Sequence, residues 1–265
     1  MIPNVLSIAG SDPSGGAGIQ ADLKTFAALR VHGCAVLTAL TAQNTEGVTG
    51  VHAVPPTFIA QQIDTLFADV AIAAVKIGMV GTAAGSDAVA ECLSRHRPPL
   101  IVLDPVMVAK SGDPLLAGDA VAALRQRLIP LATVLTPNLE EAAVLLDEPM
   151  IGRAADMPAL AARLKALGPA YVYLKGGHLG GQSSPDLVFD GTTMLELPGL
   201  RIATRNTHGT GCTLSSAIAA LLAQGGDPGA AFRAAKDYIA GAIARADELS
   251  VGHGHGPVHH FHQWW

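Results

Sequence analysis

Short apolar runs alternate with segments of helical periodicity along most of this chain, and that alternation limits the fold more than any other feature. Asn4 to Ala9, Ala35 to Ala42, Ala74 to Val80, Leu100 to Leu103, Thr133 to Leu135 and Tyr171 to Leu174 read as buried strands. Between and after them, helices are predicted over Ile19 to Arg30, Thr57 to Asp69, Ser86 to Ser94, Asp119 to Leu128, Leu139 to Leu146, Met157 to Leu167, Gly211 to Gln224 and Pro228 to Glu248. Strand–helix–strand repetition implies a mostly parallel sheet covered by helices on both faces, a three-layer αβα arrangement. Asp186 to Asp190 and Thr192 to Leu197 flank Gly191 and read as a hairpin added to that sheet. No linker, internal repeat or low-complexity tract interrupts the pattern, so one domain over residues 1–265 is expected. A hydrophobic fraction of 49% against 15% charged residues suits a large core.

The remaining composition excludes several functions. A net charge of -5 and an aromatic content of 4% disfavour nucleic-acid and anionic-membrane binding. Three cysteines, Cys34, Cys92 and Cys212, give no disulfide framework. The N-terminus lacks the charged and apolar regions of a signal peptide, and no apolar stretch reaches bilayer length. The expected compartment is the cytosol.

In sheets of this kind the site lies beyond the carboxyl ends of the strands. The unusual polar and glycine residues gather there: Gly10 to Gly18, Gln43-Asn44, Gly78-Met79, Asp104, Asn138 and Lys175-Gly176-Gly177. The first glycine loop is no Walker loop, because no Lys-Ser/Thr pair follows it. It also departs from the dinucleotide fingerprint, since its strand ends six residues early and the second strand ends in Gln43 rather than an acid. It can be a flexible turn or a loop closing over a small substrate. Asp22, one turn inside the next helix, is a pocket residue or a dipole partner.

Thr207-His208-Gly209-Thr210-Gly211-Cys212-Thr213 leads into a strongly helical run. Glycines there expose N–H groups at a helix N-terminus, which makes an anion hole for a transferring phosphoryl group or an ordinary helix start. Cys212 at that start is either a thiol of depressed pKa acting as a base or a small buried residue. Asn138-x-x-Glu141 after Thr136-Pro137 is a helix cap, and can equally organise Mg²⁺, with Asp104 a second candidate ligand. Lys175 neutralises phosphate or is a solvated loop lysine. The tail from Gly252 holds five of the ten histidines and is expected to dock or fray.

Taken together, these blocks resemble the hydroxymethylpyrimidine/phosphomethylpyrimidine kinases of thiamine biosynthesis, in the ribokinase-like superfamily. The resemblance runs nearly end to end: Ala9 through Asp22, Thr41-Ala42-Gln43-Asn44-Thr45, Lys76-Ile77-Gly78-Met79, Asp104 through Gly112, Thr136-Pro137-Asn138-x-x-Glu141, Leu174 through His178, His208 through Thr213, and Gly254 through Val258. It implies a ribokinase-like fold and an ATP- and Mg²⁺-dependent enzyme. That enzyme would phosphorylate 4-amino-5-hydroxymethyl-2-methylpyrimidine and then its monophosphate. Gln43 would read the pyrimidine edge through its amide, and Gly10, Asp22, Met79 and Val106 would line the pocket. Lys175, Asn138, Thr207, Gly209 and Gly211 would hold ATP; Gly209, Thr210, Gly211 and Cys212 would act in transfer; Glu141 and Asp104 would serve the metal. Met107 to Pro114 would form a flap. The resemblance also implies a homodimer. Most ribokinase-like sugar kinases carry Asp where Cys212 stands, which argues against a sugar substrate. Some relatives phosphorylate pyridoxal with a second cysteine in the flap, where this chain has Ala109. A pyridoxal kinase and a catalytically silent pyrimidine-binding protein are the alternatives.

Overall fold

The computed structural model describes residues 1–107 and 118–265; the flap residues Val108 to Pro114, Ala109 among them, lie outside the described residues. Strands β1 (Asn4–Ser11), β2 (His32–Gln43), β3 (Val48–Ala53), β4 (Ile72–Ile77), β5 (Ile101–Leu103), β6 (Val134–Leu135), β7 (Tyr171–Lys175), β8 (Asp186–Phe189) and β9 (Met194–Leu197) form one sheet. Its order is β3-β2-β1-β4-β5-β6-β7-β8-β9. From β2 through β7 neighbours run parallel, and β3, β8 and β9 add antiparallel edges. Val5 to Ala9 are all buried, as a parallel strand covered on both faces requires.

Helices α1 (Gly18–Ala28), α7 (Thr210–Ala223) and α8 (Pro228–Ala244) cover one face, where Phe26, Leu214, Ile218, Phe232 and Tyr238 pack on Val5, Val102 and Tyr173. Helices α2 (Pro56–Phe67), α3 (Ala83–His96), α4 (Gly118–Ala123), α5 (Leu139–Leu146) and α6 (Met157–Lys165) cover the other. Local signals start these helices. The Thr82 hydroxyl accepts from the Gly85 N–H, and the Asp227 carboxylate from the Ala230 N–H with Pro228 at the first position. Along α7 every residue from Thr213 to Ala220 is buried, so that stretch has no solvent-facing side.

Strand β3 has no counterpart in the sequence reading. All its residues after Val48 are exposed and Gly50 sits mid-strand, so the alternation that marks a strand is missing. The strand expected over Ala74 to Val80 ends at Ile77, and Gly78 to Val80 turn into the site. The helix expected over Asp119 to Leu128 is α-helical through Ala123 and then widens into a π turn before a 3₁₀ turn carrying Pro130.

The histidine tail is docked. His259, His260 and His262 are buried, the Tyr238 hydroxyl donates to the His260 carbonyl at 2.6 Å, and His260 Nε2 lies 3.1 Å from the Thr213 hydroxyl. Burial, reinforced by Lys24 and the neighbouring histidines, pushes the His260 imidazole down to about 3. Its neutral form is therefore favoured on folding. The associated stability is complete above the unfolded value near 6.5 and is lost as pH falls from there toward 3. Between pH 7.5 and 4.5 the wild-type protein should lose about 3 kcal/mol through this group. Thermal unfolding of wild type and His260→Gln across that range checks it: the loss should be smaller in the variant, and parallel curves would contradict it.

Candidate active site

The chain leaves β2 on one side of β1 and returns through β4 on the other, so the strand order reverses at β1. A crevice opens at such a reversal beyond the strands' carboxyl ends. Here a cavity of about 670 Å³ is walled by residues following β1, β2, β4, β5, β6 and β7 and by the start of α7.

The loop after β1 folds around its own carboxylate. Asp12 accepts N–H bonds from Ser14, Gly16 and Ala17 at 2.8–3.2 Å, a hydroxyl bond from Ser14 at 2.7 Å, and lies 2.8 Å from His208 Nε2. Burial opposes its charge, but the bonds from His208 and Ser14 hold it below the usual carboxylate range. The donors that a glycine loop would offer a phosphate are thus largely taken. The Gly18 N–H points instead at the Cys212 sulfur.

One part of the cavity suits a flat ring. A Cβ on Gly10 would stand 2.5 Å from Met79 Cε, so a side chain there would displace the methionine's methyl end from the slot. Gln43 presents its amide beside it, with the Thr41 hydroxyl 3.1 Å from Oε1 and His208 Nε2 3.5 Å from Nε2. Val106 lines the same cavity.

Thr207, Gly209, Thr210, Gly211 and Cys212 form the next stretch of wall. Gly209 has φ 77°, and a Cβ there would fall 1.7 Å from the Gly16 carbonyl oxygen, so the two glycine segments meet backbone to backbone. The helix begins at Thr210, and its first N–H groups lack intrahelical acceptors. Cys212 does not have the depressed pKa considered from the sequence. Desolvation, opposed by Lys76 and reinforced by Asp22 and Asp104, pushes its thiol up to about 11.

Lys175, at the end of β7, is no solvated loop lysine: its side chain is only 13% exposed. Its Nζ donates to Asp104 Oδ1 at 2.9 Å and lies 3.6 Å from Glu141 Oε2. Burial opposes that charge, yet Asp104 and Glu141 raise the ammonium above its ordinary value. Asn138 and Glu141 complete a capping box on α5, each side chain accepting the other's N–H at 2.7–2.8 Å. The carboxylate that caps the helix therefore also faces Lys175. Burial pushes the Glu141 carboxyl up to about 7, Lys175 pulling against it and Asp104 with it. Among the described residues no three His, Cys, Asp or Glu side chains make a metal cage. Two hard carboxylates flanking one ammonium still fit Mg²⁺, which keeps several waters and shares its coordination with substrate phosphates.

Asp22 does not line the pocket as expected. It is fully buried, takes both carboxylate oxygens to Lys76 Nζ at 2.9 Å, and accepts from the Ser7 and Ser216 hydroxyls at 2.6 and 2.7 Å. Nor does it stand in the first turn of α1. Lys76, His208 and Asp12 form two further side-chain pairs, Lys76 with Asp22 and His208 with Asp12, which the sequence motifs do not announce. A lysine inside the apolar run Ile72–Ile77 was the signal for the first, because a charge in a buried strand requires a partner.

The family model for phosphomethylpyrimidine kinase matches residues 12–259. This chain belongs to the phosphomethylpyrimidine kinase family. The family's Escherichia coli member, hydroxymethylpyrimidine/phosphomethylpyrimidine kinase, is 52% identical over 99% of this chain and 98% of its own. A thiamine biosynthesis bifunctional protein of Geobacter sulfurreducens is 50% identical over 97% of this chain and 52% of its own. Among solved structures, pyridoxal kinase from Staphylococcus aureus in complex with AMP-PCP and pyridoxal superposes with a TM-score of 0.91 at 33% identity, over 100% of this chain and 95% of that one. This phosphomethylpyrimidine kinase family member is a phosphotransferase of ribokinase-like fold. Among its described residues no helix is long and apolar enough to cross a membrane.

Proposed function

We propose that this protein transfers phosphate from ATP to the hydroxyl of 4-amino-5-hydroxymethyl-2-methylpyrimidine, and then phosphorylates the monophosphate to the pyrophosphate, in thiamine biosynthesis. The observation that carries this reading is the continuity of one cavity. It joins the Gly10–Gln43–Met79 slot to Lys175 and Asn138 and has Gly209–Cys212 in the same wall. The end-to-end likeness to kinases named for both pyrimidine substrates supports it.

In this proposal Gln43 reads the ring's amino and nitrogen edge, since an amide offers donor and acceptor side by side, while Met79 and Val106 hold the ring faces. The α7 N-terminus takes the transferring phosphoryl group on the Gly209–Cys212 N–H groups, and Thr207, Asn138 and Lys175 hold the nucleotide phosphates. ATP with Mg²⁺ supplies the phosphoryl group and offsets its charge; Glu141 and Asp104 are the residues that would hold the ion. Catalysis then rests on positioning and electrostatics, with Cys212 taking the hydroxyl proton. The protein would act as a single domain, as a homodimer, in the cytosol; light scattering in solution checks the dimer.

Product analysis by mass spectrometry, after incubation with Mg-ATP and hydroxymethylpyrimidine and with pyridoxal in a parallel reaction, tests the assignment. Mono- and then diphosphorylated pyrimidine is the expected result. Pyridoxal phosphate without pyrimidine product would make it a pyridoxal kinase, and no product in either reaction would favour a silent binder.

A further inference from the structure

Lys236 stands on α8, sixty-one positions from Lys175, yet both line the same cavity. Its Nζ donates to Asp186 Oδ2 at 2.7 Å and to the Ser184 carbonyl at 2.8 Å. Asp186 begins β8 and is paired across the ladder with Lys175. Its second oxygen accepts the Gly176 N–H at 2.9 Å, and the Tyr173 hydroxyl donates to the first at 3.1 Å. The residue is only 4% exposed. One buried carboxylate thus joins the end of β7, the start of β8 and the middle of α8.

A buried ion pair is a poor source of stability, because desolvating both charges offsets most of their attraction. What this pair does is fix geometry. The Gly176 N–H belongs to the peptide bond that immediately follows Lys175, so holding it sets the direction in which the lysine leaves the strand. Lys175 reaches Asp104 at 2.9 Å from there. A charge-assisted bond to the backbone at that point constrains the turn more tightly than a neutral acceptor would.

We propose that Asp186, held by Lys236, is a positioning residue for the nucleotide: it locks the Lys175-Gly176-Gly177 turn so that Lys175 meets the phosphates of ATP. This rests on the kinase reading above. Neither residue needs to touch the reacting atoms.

The test is calorimetric titration with the ATP analogue AMP-PCP, alongside steady-state kinetics for both substrates. Wild type should bind AMP-PCP; if it does not, the kinase reading falls and takes this inference with it. Asp186→Asn keeps the side chain's size and removes the charge. It should weaken AMP-PCP binding and raise KM for ATP about ten-fold, the worth of one charge-assisted bond, with KM for the pyrimidine nearly unchanged. Tyr173→Phe removes one contact to Asp186 without freeing the turn and should bind AMP-PCP as wild type does. Should Asp186→Asn fail to fold, Lys236→Met leaves the carboxylate on Gly176 but frees it from α8, and should shift the same two quantities in the same direction. A folded Asp186→Asn or Lys236→Met variant that binds AMP-PCP like wild type, or that loses ATP and pyrimidine affinity equally, would overturn the assignment.

Discussion

Lys175→Met is expected to lower kcat/KM about 10²–10³-fold, the usual loss when a preorganised donor to a charged transition state is removed. The reason is electrostatic. Lys175 is the cation between Asp104 and Glu141, at 2.9 and 3.6 Å, and it lines the cavity. Without it the two carboxylates face incoming phosphates with no compensating charge from this side chain. The Glu141 carboxyl, already pushed up to about 7, should rise further, since Lys175 is the leading group holding it down. Lys175→Arg is the informative companion. It keeps the charge but exchanges a compact ammonium for a planar fork, so it should restore stability better than activity. Steady-state kinetics with thermal unfolding on both variants separates the two effects. A Met variant that unfolds as wild type does and turns over within a few-fold of it would show that Lys175 does not serve the phosphates.

How much of this site was legible in the sequence depends on the range of the interaction involved. Asn138-x-x-Glu141 is local, and the capping box forms as its spacing requires. What spacing could not show is that the capping oxygen also faces Lys175, because that pairing depends on β6 and β7 lying side by side. The glycine segments are similar. Each is visible as a run of glycines, but that Gly209 packs on the Gly16 carbonyl is a contact between segments 193 positions apart. Asp22 was misplaced for the same reason. Its position one turn into α1 suggests the cavity, whereas the face it occupies is set by α7, whose Ser216 hydroxyl it accepts. Strand β3 escaped because an exposed edge strand needs no apolar alternation; its backbone pairing with β2 defines it. The parallel strands β1, β4, β5, β6 and β7 were visible because burial on both faces writes them as apolar runs.

Cys212→Ala should cut kcat about 10²–10⁴-fold, the range for removing a positioned proton acceptor, while KM for the pyrimidine changes little. The structure makes this a demanding prediction. A thiol pushed up to about 11 is protonated at neutral pH, so a thiolate base would be scarce in the resting protein. Two groups lie where they can offset that. The Gly18 N–H points at the sulfur, and the Lys76 ammonium beneath it is the leading influence lowering the thiol. Residues four apart on a helix share a face. Cys212 and Ser216 therefore share a face of α7 as Gly18 and Asp22 do of α1, and the Ser216–Asp22 bond at 2.7 Å joins the two helices one turn further along. If thiolate is the acceptor, log kcat should climb with pH from about 8 toward 10 in wild type, as the thiolate fraction grows, and should flatten in Cys212→Ala. Cys212→Ser supplies the comparison, since a hydroxyl ionises far less readily and should follow the Ala variant. A flat wild-type profile with near-normal kcat in Cys212→Ala would remove proton transfer from the role of this side chain. It would leave the α7 N-terminus and Lys175 to act through position and charge alone, which phosphoryl transfer tolerates.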